Sequence, residues 1–180
     1  MVSKADEVLK AIERRAWSYY YPIIGPDKGQ ILVDVIREIQ PKRILEVGTL
    51  VGYSTLILAR ELDSTAEIIT LEIDGDEAEV AEENIRRAEV QPNVRVVVED
   101  ALDMIPKLDG GFDLVFIDAD KSEYFDYLQL IEDNLHAASL SRISRTSQRI
   151  PYGDMWIMCE ALASMKATQW RSIGARWTLA

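Results

Sequence analysis

The feature that most constrains this chain is a rhythm. Four short apolar runs, at residues 43–48 (RILEVG), 67–73 (EIITLEI), 94–98 (VRVVV) and 113–118 (DLVFID), alternate with stretches of helical spacing. Continuous apolar strands separated by helices imply parallel strands covered on both faces. Right-handed crossovers then give a doubly wound, mostly parallel α/β sheet. The helices between the strands are expected at 53–62, at 76–89 with Ala78, Ala81, Ile85 and Ala88 inward, and around 102–108. Another is expected at 121–135 with Tyr124, Leu128, Ile131 and Leu135 inward.

Two helices precede the sheet. Residues 4–20 put Val8, Leu9, Ile12, Ala16 and Tyr20 on one stripe. After the break YPIIGP at 21–26, Pro26 suits the first turn of a second helix, carrying Ile31, Leu32, Val35, Ile36 and Ile39. Pro41 ends it. The 180 residues thus divide into N-terminal helices at 1–40, a core at 41–136 and a tail at 137–180 within one domain.

Composition excludes several function classes. A net charge of −11 argues against a nucleic-acid partner. Cys159 is alone, which excludes an intrachain disulfide or a thiolate zinc cluster. The N-terminal MVSKADEVLKAIERR has no apolar stretch of signal-peptide type, and no apolar run approaches the roughly 18 residues of a membrane span. A cytoplasmic protein without membrane contact is expected. The charge is unevenly spread. Residues 1–136 hold 14 Lys+Arg against 29 Asp+Glu, and residues 137–180 hold 6 against 2.

The first strand runs into Glu46-Val47-Gly48-Thr49-Leu50-Val51-Gly52-Tyr53-Ser54. Gly48 lets the backbone pass close to a ligand, and the helix that follows presents free N–H groups. Thr49 and Ser54 add hydroxyls. The turn is neither a Walker loop nor G-x-G-x-x-G. Glu72 lies 24 residues beyond Gly48, the position of an acid that accepts both hydroxyls of a ribose. Asp100 and the Ala101 N–H, after the third strand, suit an exocyclic amine and a ring nitrogen. In a sheet of order 3-2-1-4-5, Asp118 at the end of the fourth strand faces the Gly48 turn across the crevice where ligands bind. It is a candidate metal ligand or hydrogen-bond acceptor. Lys121 is a candidate base, and its alternative is a solvated lysine beside a helix cap. His136 and Cys159 have no partner spacing and read as structural. The acidic run 72–89 reads as a solvated helix face, and the Met/Trp cluster at 155–158 as core or interface.

Together these residues resemble the small S-adenosylmethionine-dependent O-methyltransferases of the catechol and caffeoyl-CoA type. The likeness runs from about Trp17 to Leu135, through AWSYYYPIIGPDKGQIL, ILEVGTLVGYSTLILAR, ITLEID, EDALDMIPKL and FDLVFIDADKSEY. It implies a Rossmann-like class I core. It implies that Gly48, Thr49, Tyr53 and Ser54 hold the methionine part of the cofactor, with Ile24 near its carboxylate and Glu46 near its amino group. Glu72, followed by Ile73, takes the ribose, and Asp100 with Ala101 the adenine edge. Asp118 is the first ligand of a divalent cation, usually Mg²⁺, and Lys121 the catalytic base. The acceptor is a small catechol-like hydroxyl compound, and a homodimer is implied.

The chain departs from this pattern after Leu140. The family supplies further metal ligands from an Ala-Asp-Asn-like motif, where this chain reads Ser141-Arg142-Ile143-Ser144-Arg145, with no acid before Asp154. The last two strands, an antiparallel hairpin in the family, are not recognisable. Residues 139–144 are the candidate fifth strand and 156–167 a candidate helix. We read the tail from about residue 140 as encoded out of frame. Met155-Trp156-Ile157-Met158-Cys159-Glu160, shifted by one nucleotide, gives Val-Asp-(Tyr/His/Asn)-Val followed by Arg or a stop, which resembles the family's next helix. Two other readings stand beside the methyltransferase: an impaired cofactor-binding or interaction domain on the same core, and an NAD-binding oxidoreductase.

Overall fold

A computed structural model describes residues 3–109, 111–127, 129–131, 150–152 and 155–159, with the side chains of Ile39, Lys121 and the last two strands outside that set. Helix α1 (Lys4–Tyr19) starts at Ser3, whose hydroxyl accepts from the Asp6 N–H while the Asp6 carboxylate accepts from the Ser3 N–H, a capping box. Its apolar stripe is Ala5, Val8, Leu9, Ile12 and Ala16. Tyr20 was expected on that stripe and is not: it is 93% exposed. The helix ends one residue earlier, and Tyr20 takes a left-handed cap conformation, φ 55°, that swings it off the inward face. Helix α2 (Gly25–Ile39) has Pro26 in its first turn and ends at Gln40, just ahead of Pro41.

Strands β1 (Arg43–Val47), β2 (Glu67–Glu72), β3 (Asn93–Val98) and β4 (Leu114–Ile117) pair in parallel in the order β3-β2-β1-β4. Helices α3 (Tyr53–Arg60), α4 (Gly75–Ala88) and α5 (Ala101–Met104) connect them. After β4 a 3-10 turn at Lys121–Glu123 leads into helical residues 124–127 and 129–131. Leu128 and Leu135, expected inward there, lie outside the described residues, whereas Tyr124 and Ile131 are buried.

The two-residue period of each strand splits the core in two. Ile44, Ile68, Leu114 and Phe116 face α1, α2 and α3. Leu45, Val47, Ile69, Leu71, Val115 and Ile117 face α5 and the helix that begins at Tyr124. Both faces of the sheet are covered, as the apolar runs predict.

The far edge differs from expectation. β6 (Met155–Cys159) lies antiparallel beside β4, and β5 (Ile150–Tyr152) lies antiparallel beside β6. The helix expected over 156–167 therefore begins as a strand, and an antiparallel hairpin is present where none was recognisable. A five-residue apolar run fits a buried strand as well as a helix turn, so periodicity does not separate them. The candidate strand at 139–144 and His136 lie outside the described residues. No helix among the described residues is long and apolar enough to cross a membrane.

Candidate functional site

The carboxyl ends of β1 and β4 meet at one crevice of about 520 Å³. Asp118 N–H donates to the Val47 carbonyl at 2.9 Å, continuing the β1–β4 ladder into the loops. Gly48 turns there with φ 95°, and a Cβ on it would lie 2.2 Å from the Asp118 carbonyl oxygen. Only glycine fits. The switch in chain direction between β1 and β4 thus produces the cleft that strand order predicts.

The Gly48 turn is stitched from below. Glu72 Oε2 accepts from the Thr49 N–H at 3.2 Å and the Leu50 N–H at 2.6 Å, and its Oε1 accepts from Asp74 N–H at 3.0 Å. The Thr49 and Thr70 hydroxyls lie 2.6 Å apart, both buried. Thr49 is therefore engaged on all sides: its N–H by Glu72, its carbonyl by the Gly52 N–H at 2.8 Å, and its hydroxyl beneath. Gly52 caps α3 at φ 79°, against the backbone of Ala81. Tyr53 and Ser54 follow in the first turn of that helix and line the crevice. The Tyr53 hydroxyl donates to Glu13 Oε1 at 2.6 Å, tying the crevice wall to α1. Burial, then that bond, holds the Tyr53 hydroxyl well above the ordinary tyrosine range.

Glu46 sits beneath the floor, outside the lining. Strand period places it on the α3 side with Phe116 and Thr70. It is 0% exposed; Thr55 Oγ1 donates to its Oε2 at 2.5 Å, and its Oε1 has no hydrogen-bond partner among the described residues. Burial pushes this carboxyl up to about 7. Bonds from Ser54, Thr55 and Thr70 oppose the rise, and the charge of Asp118 adds to it.

The remaining expected residues gather around the same space. Ile24, Glu72, Ile73, Asp100, Ala101 and Asp118 all line the crevice. Asp100 also caps α5, its Oδ1 accepting from the Leu102 N–H at 2.8 Å. Asp120 caps the 3-10 turn through the Ser122 N–H and hydroxyl, and those bonds hold its carboxyl below the ordinary range. Lys121 opens that 3-10 turn, next to Asp120; its side chain lies outside the described set. Sequence reading missed Glu123 and Tyr127, which line the crevice too. Their i, i+4 spacing after Asp118 was the available signal.

A family model described as O-methyltransferase matches residues 2–144. The chain belongs to this O-methyltransferase family. The catechol O-methyltransferase of Mycobacterium tuberculosis is 47% identical over 107 residues, 59% of this chain and 49% of that protein. The caffeoyl-CoA O-methyltransferase of Stellaria longipes is 30% identical over 132 residues, 69% of this chain and 55% of that protein. Among solved structures, the SAH-bound methyltransferase PaMTH1 of Podospora anserina superposes with a TM-score of 0.65 at 29% identity, covering 74% of this chain and 57% of that one. This O-methyltransferase-family chain spans about half the length of the curated relatives it matches.

Proposed function

We propose that the chain binds S-adenosylmethionine in the crevice and passes its methyl group to a hydroxyl of a small catechol-like acceptor. The observation that carries this reading is the contact of the Gly48 turn with the Asp118 carbonyl, which shapes a cleft of ligand size at the strand ends of an O-methyltransferase-family core. The cofactor supplies a methyl carried on a sulfonium. As the new O–C bond forms the S–C bond breaks, leaving a thioether, and the acceptor's hydroxyl proton must leave.

The residues present suit that cofactor. Among the described lining residues there is no Lys or Arg, whereas Glu72, Asp100 and Asp118 are acidic, which favours a cationic ligand rich in hydrogen-bond donors. The backbone N–H groups of Tyr53 and Ser54, in the first turn of α3, take the carboxylate end. Glu72 takes the ribose hydroxyls with the lone pairs left after bonding Thr49, Leu50 and Asp74. The chain's part in the reaction is alignment of two reactants, which supplies most of the acceleration in such displacements. We assign the acceptor's proton to Lys121 as base, on the resemblance and on its place one residue past Asp120.

A divalent cation would orient the acceptor oxygens. Among the described residues no group of three His, Cys, Asp or Glu side chains is placed to hold a metal ion. Asp118 alone does not meet the several hard oxygens Mg²⁺ requires, so the described donor set does not fit it. This same observation favours a second reading, a cofactor-binding domain that turns over poorly.

Calorimetric titration with S-adenosylmethionine and with NAD, followed by a methyl-transfer assay on catechol with Mg²⁺ and with chelator, separates the readings. Binding of S-adenosylmethionine with methyl transfer to catechol is the expected result, and the chelator arm reads whether that transfer needs a cation. Binding without turnover supports the second reading, and NAD binding alone overturns both.

A further inference from the structure

Between α1 and α4 lies a second cavity, of about 80 Å³, which shares no lining residue with the crevice. Ile12 of α1 and Val80 of α4 belong to its apolar wall. Its polar groups come from Arg15 of α1, Asn84 and Arg87 of α4, and Tyr21. Arg15 follows Ala11 by four residues, and Arg87 follows Asn84 by three, so helical spacing brings both arginines to one groove. No acid lines the cavity among the described residues; Glu77, whose Oε1 accepts from the Tyr21 hydroxyl at 3.3 Å, is not part of the wall.

Two like charges at one cavity repel unless an opposite charge joins them. Acids are not scarce in this chain, since residues 1–136 hold 29 of them against 14 Lys+Arg. Arg37, Arg43, Arg60 and Arg86 each pair with one. Arg15 and Arg87 form no ion pair among the described residues. Three acids close to them in sequence are engaged elsewhere: Glu83 with Arg86, Glu89 with Lys4, and Glu13 with the Tyr53 hydroxyl.

The donors at the cavity are partly fixed in advance. The Arg15 guanidinium carbon stands over the Tyr19 ring, 6.0 Å from its centroid, a contact that uses the face of the cation and leaves its N–H edge open. Asn84 is 8% exposed, and its Nδ2 gives one N–H to the Val51 carbonyl at 2.9 Å and has a second to give. One guanidinium fork satisfies a carboxylate, whereas a tetrahedral oxyanion engages two forks and an amide at once. One water needs roughly 10–15 Å³, so the cavity admits a group of several heavy atoms.

We infer that the α1–α4 cavity is a site for a phosphate-class oxyanion, clasped by Arg15 and Arg87 with Asn84 at its base. Free phosphate and the phosphate of a small monoester present the same oxygens to these donors. The inference is independent of what fills the crevice.

The test is calorimetric titration of the full chain with inorganic phosphate and with glycerol 3-phosphate at constant ionic strength, on the wild type, R15Q, R87Q and R14Q. Arg14 adjoins Arg15 but does not line the cavity, so R14Q removes the same charge outside the site. Saturable binding is expected in the wild type, weakened about fivefold or more in R15Q and in R87Q and unchanged in R14Q. Both arginines are exposed, so melting in phosphate-free buffer should not change. Phosphate should raise the melting temperature of the wild type and R14Q more than that of the other two variants. Tighter binding of glycerol 3-phosphate marks an ester as the source of the anion, and tighter binding of phosphate marks the free ion. A wild type without saturable binding of either probe overturns the inference. An equal loss in R14Q does so too, because it reduces the binding to diffuse attraction. Either cavity variant decides the matter if the other fails to fold.

Discussion

Gly48 and Asp118 are locked together by backbone alone: the space a Cβ on Gly48 would need lies 2.2 Å from the Asp118 carbonyl oxygen. The contact joins the ends of two adjacent parallel strands and sets the depth of the crevice. Gly48→Ala adds an overlap and holds an L-residue at φ 95°. Each effect costs about 1–3 kcal/mol. The expected outcome is a melting temperature lower by roughly 5–15 °C and a large loss of cofactor affinity. An alanine variant with wild-type melting and affinity would show that the turn relaxes freely and that the contact shapes nothing.

Glu72 carries two duties, and removing it should reveal both. Its carboxylate accepts from the N–H groups of Thr49 and Leu50. Glu72→Ala leaves those donors without a side-chain partner, a cost of about 1–3 kcal/mol where water cannot replace it. Hydrogen exchange at Thr49 and Leu50 should accelerate, and affinity for S-adenosylmethionine should fall at least about tenfold. Glu72→Gln, which still accepts, should be milder on both counts. Unchanged cofactor affinity in the alanine variant removes the ribose role.

Much of this site was legible because it depends on backbone topology. The apolar runs fixed four strands, strand order placed the Gly48 turn opposite Asp118, and Ile24, Gly48, Thr49, Tyr53, Ser54, Glu72, Ile73, Asp100, Ala101 and Asp118 of the expected set line one crevice. What the pattern hid depends on single torsions and on side-chain direction. Tyr20 leaves its stripe through one left-handed residue. Glu46 alternates to the face opposite Val47, and so falls beneath the floor. Glu123 and Tyr127 acquire meaning only through a bond between them. The strand at Met155–Cys159 was not distinguishable from a helix by its own composition.

The Tyr53–Glu13 bond predicts that α1 contributes to the crevice wall. It spans 40 residues of chain, and Tyr53 is 3% exposed. Tyr53→Phe should cost about 1 kcal/mol, the net worth of a hydrogen bond to a charged group that water can partly replace. Glu13→Gln should cost less, since the amide oxygen still accepts. Urea melts of the two single variants and the double variant should give a coupling of about 0.5–1.5 kcal/mol. Additive losses would mean that the bond does not hold α1 to α3.

Glu46 predicts an inverted pH dependence. Most folded carboxylates lose protons more easily than their unfolded counterparts and stabilise the protein as pH rises. Glu46 does the opposite, because burial lifts its carboxyl from 4.5 to about 7. Below pH 4.5 both states hold the proton and there is no penalty. Between pH 4.5 and 7 the unfolded chain releases it while the folded chain keeps it, so this contribution to stability falls as pH rises. Above pH 7 the penalty is complete, roughly 3 kcal/mol at about 1.4 kcal/mol for each tenfold in proton affinity. Glu46→Gln cannot titrate and preserves an acceptor for the Thr55 hydroxyl. Its stability relative to wild type should therefore improve steadily from pH 5 to pH 8, measured by urea melts at four pH values. A difference between the two proteins that stays constant across that range would mean that Glu46 keeps its charge in the folded state, with the neighbouring hydroxyls carrying it.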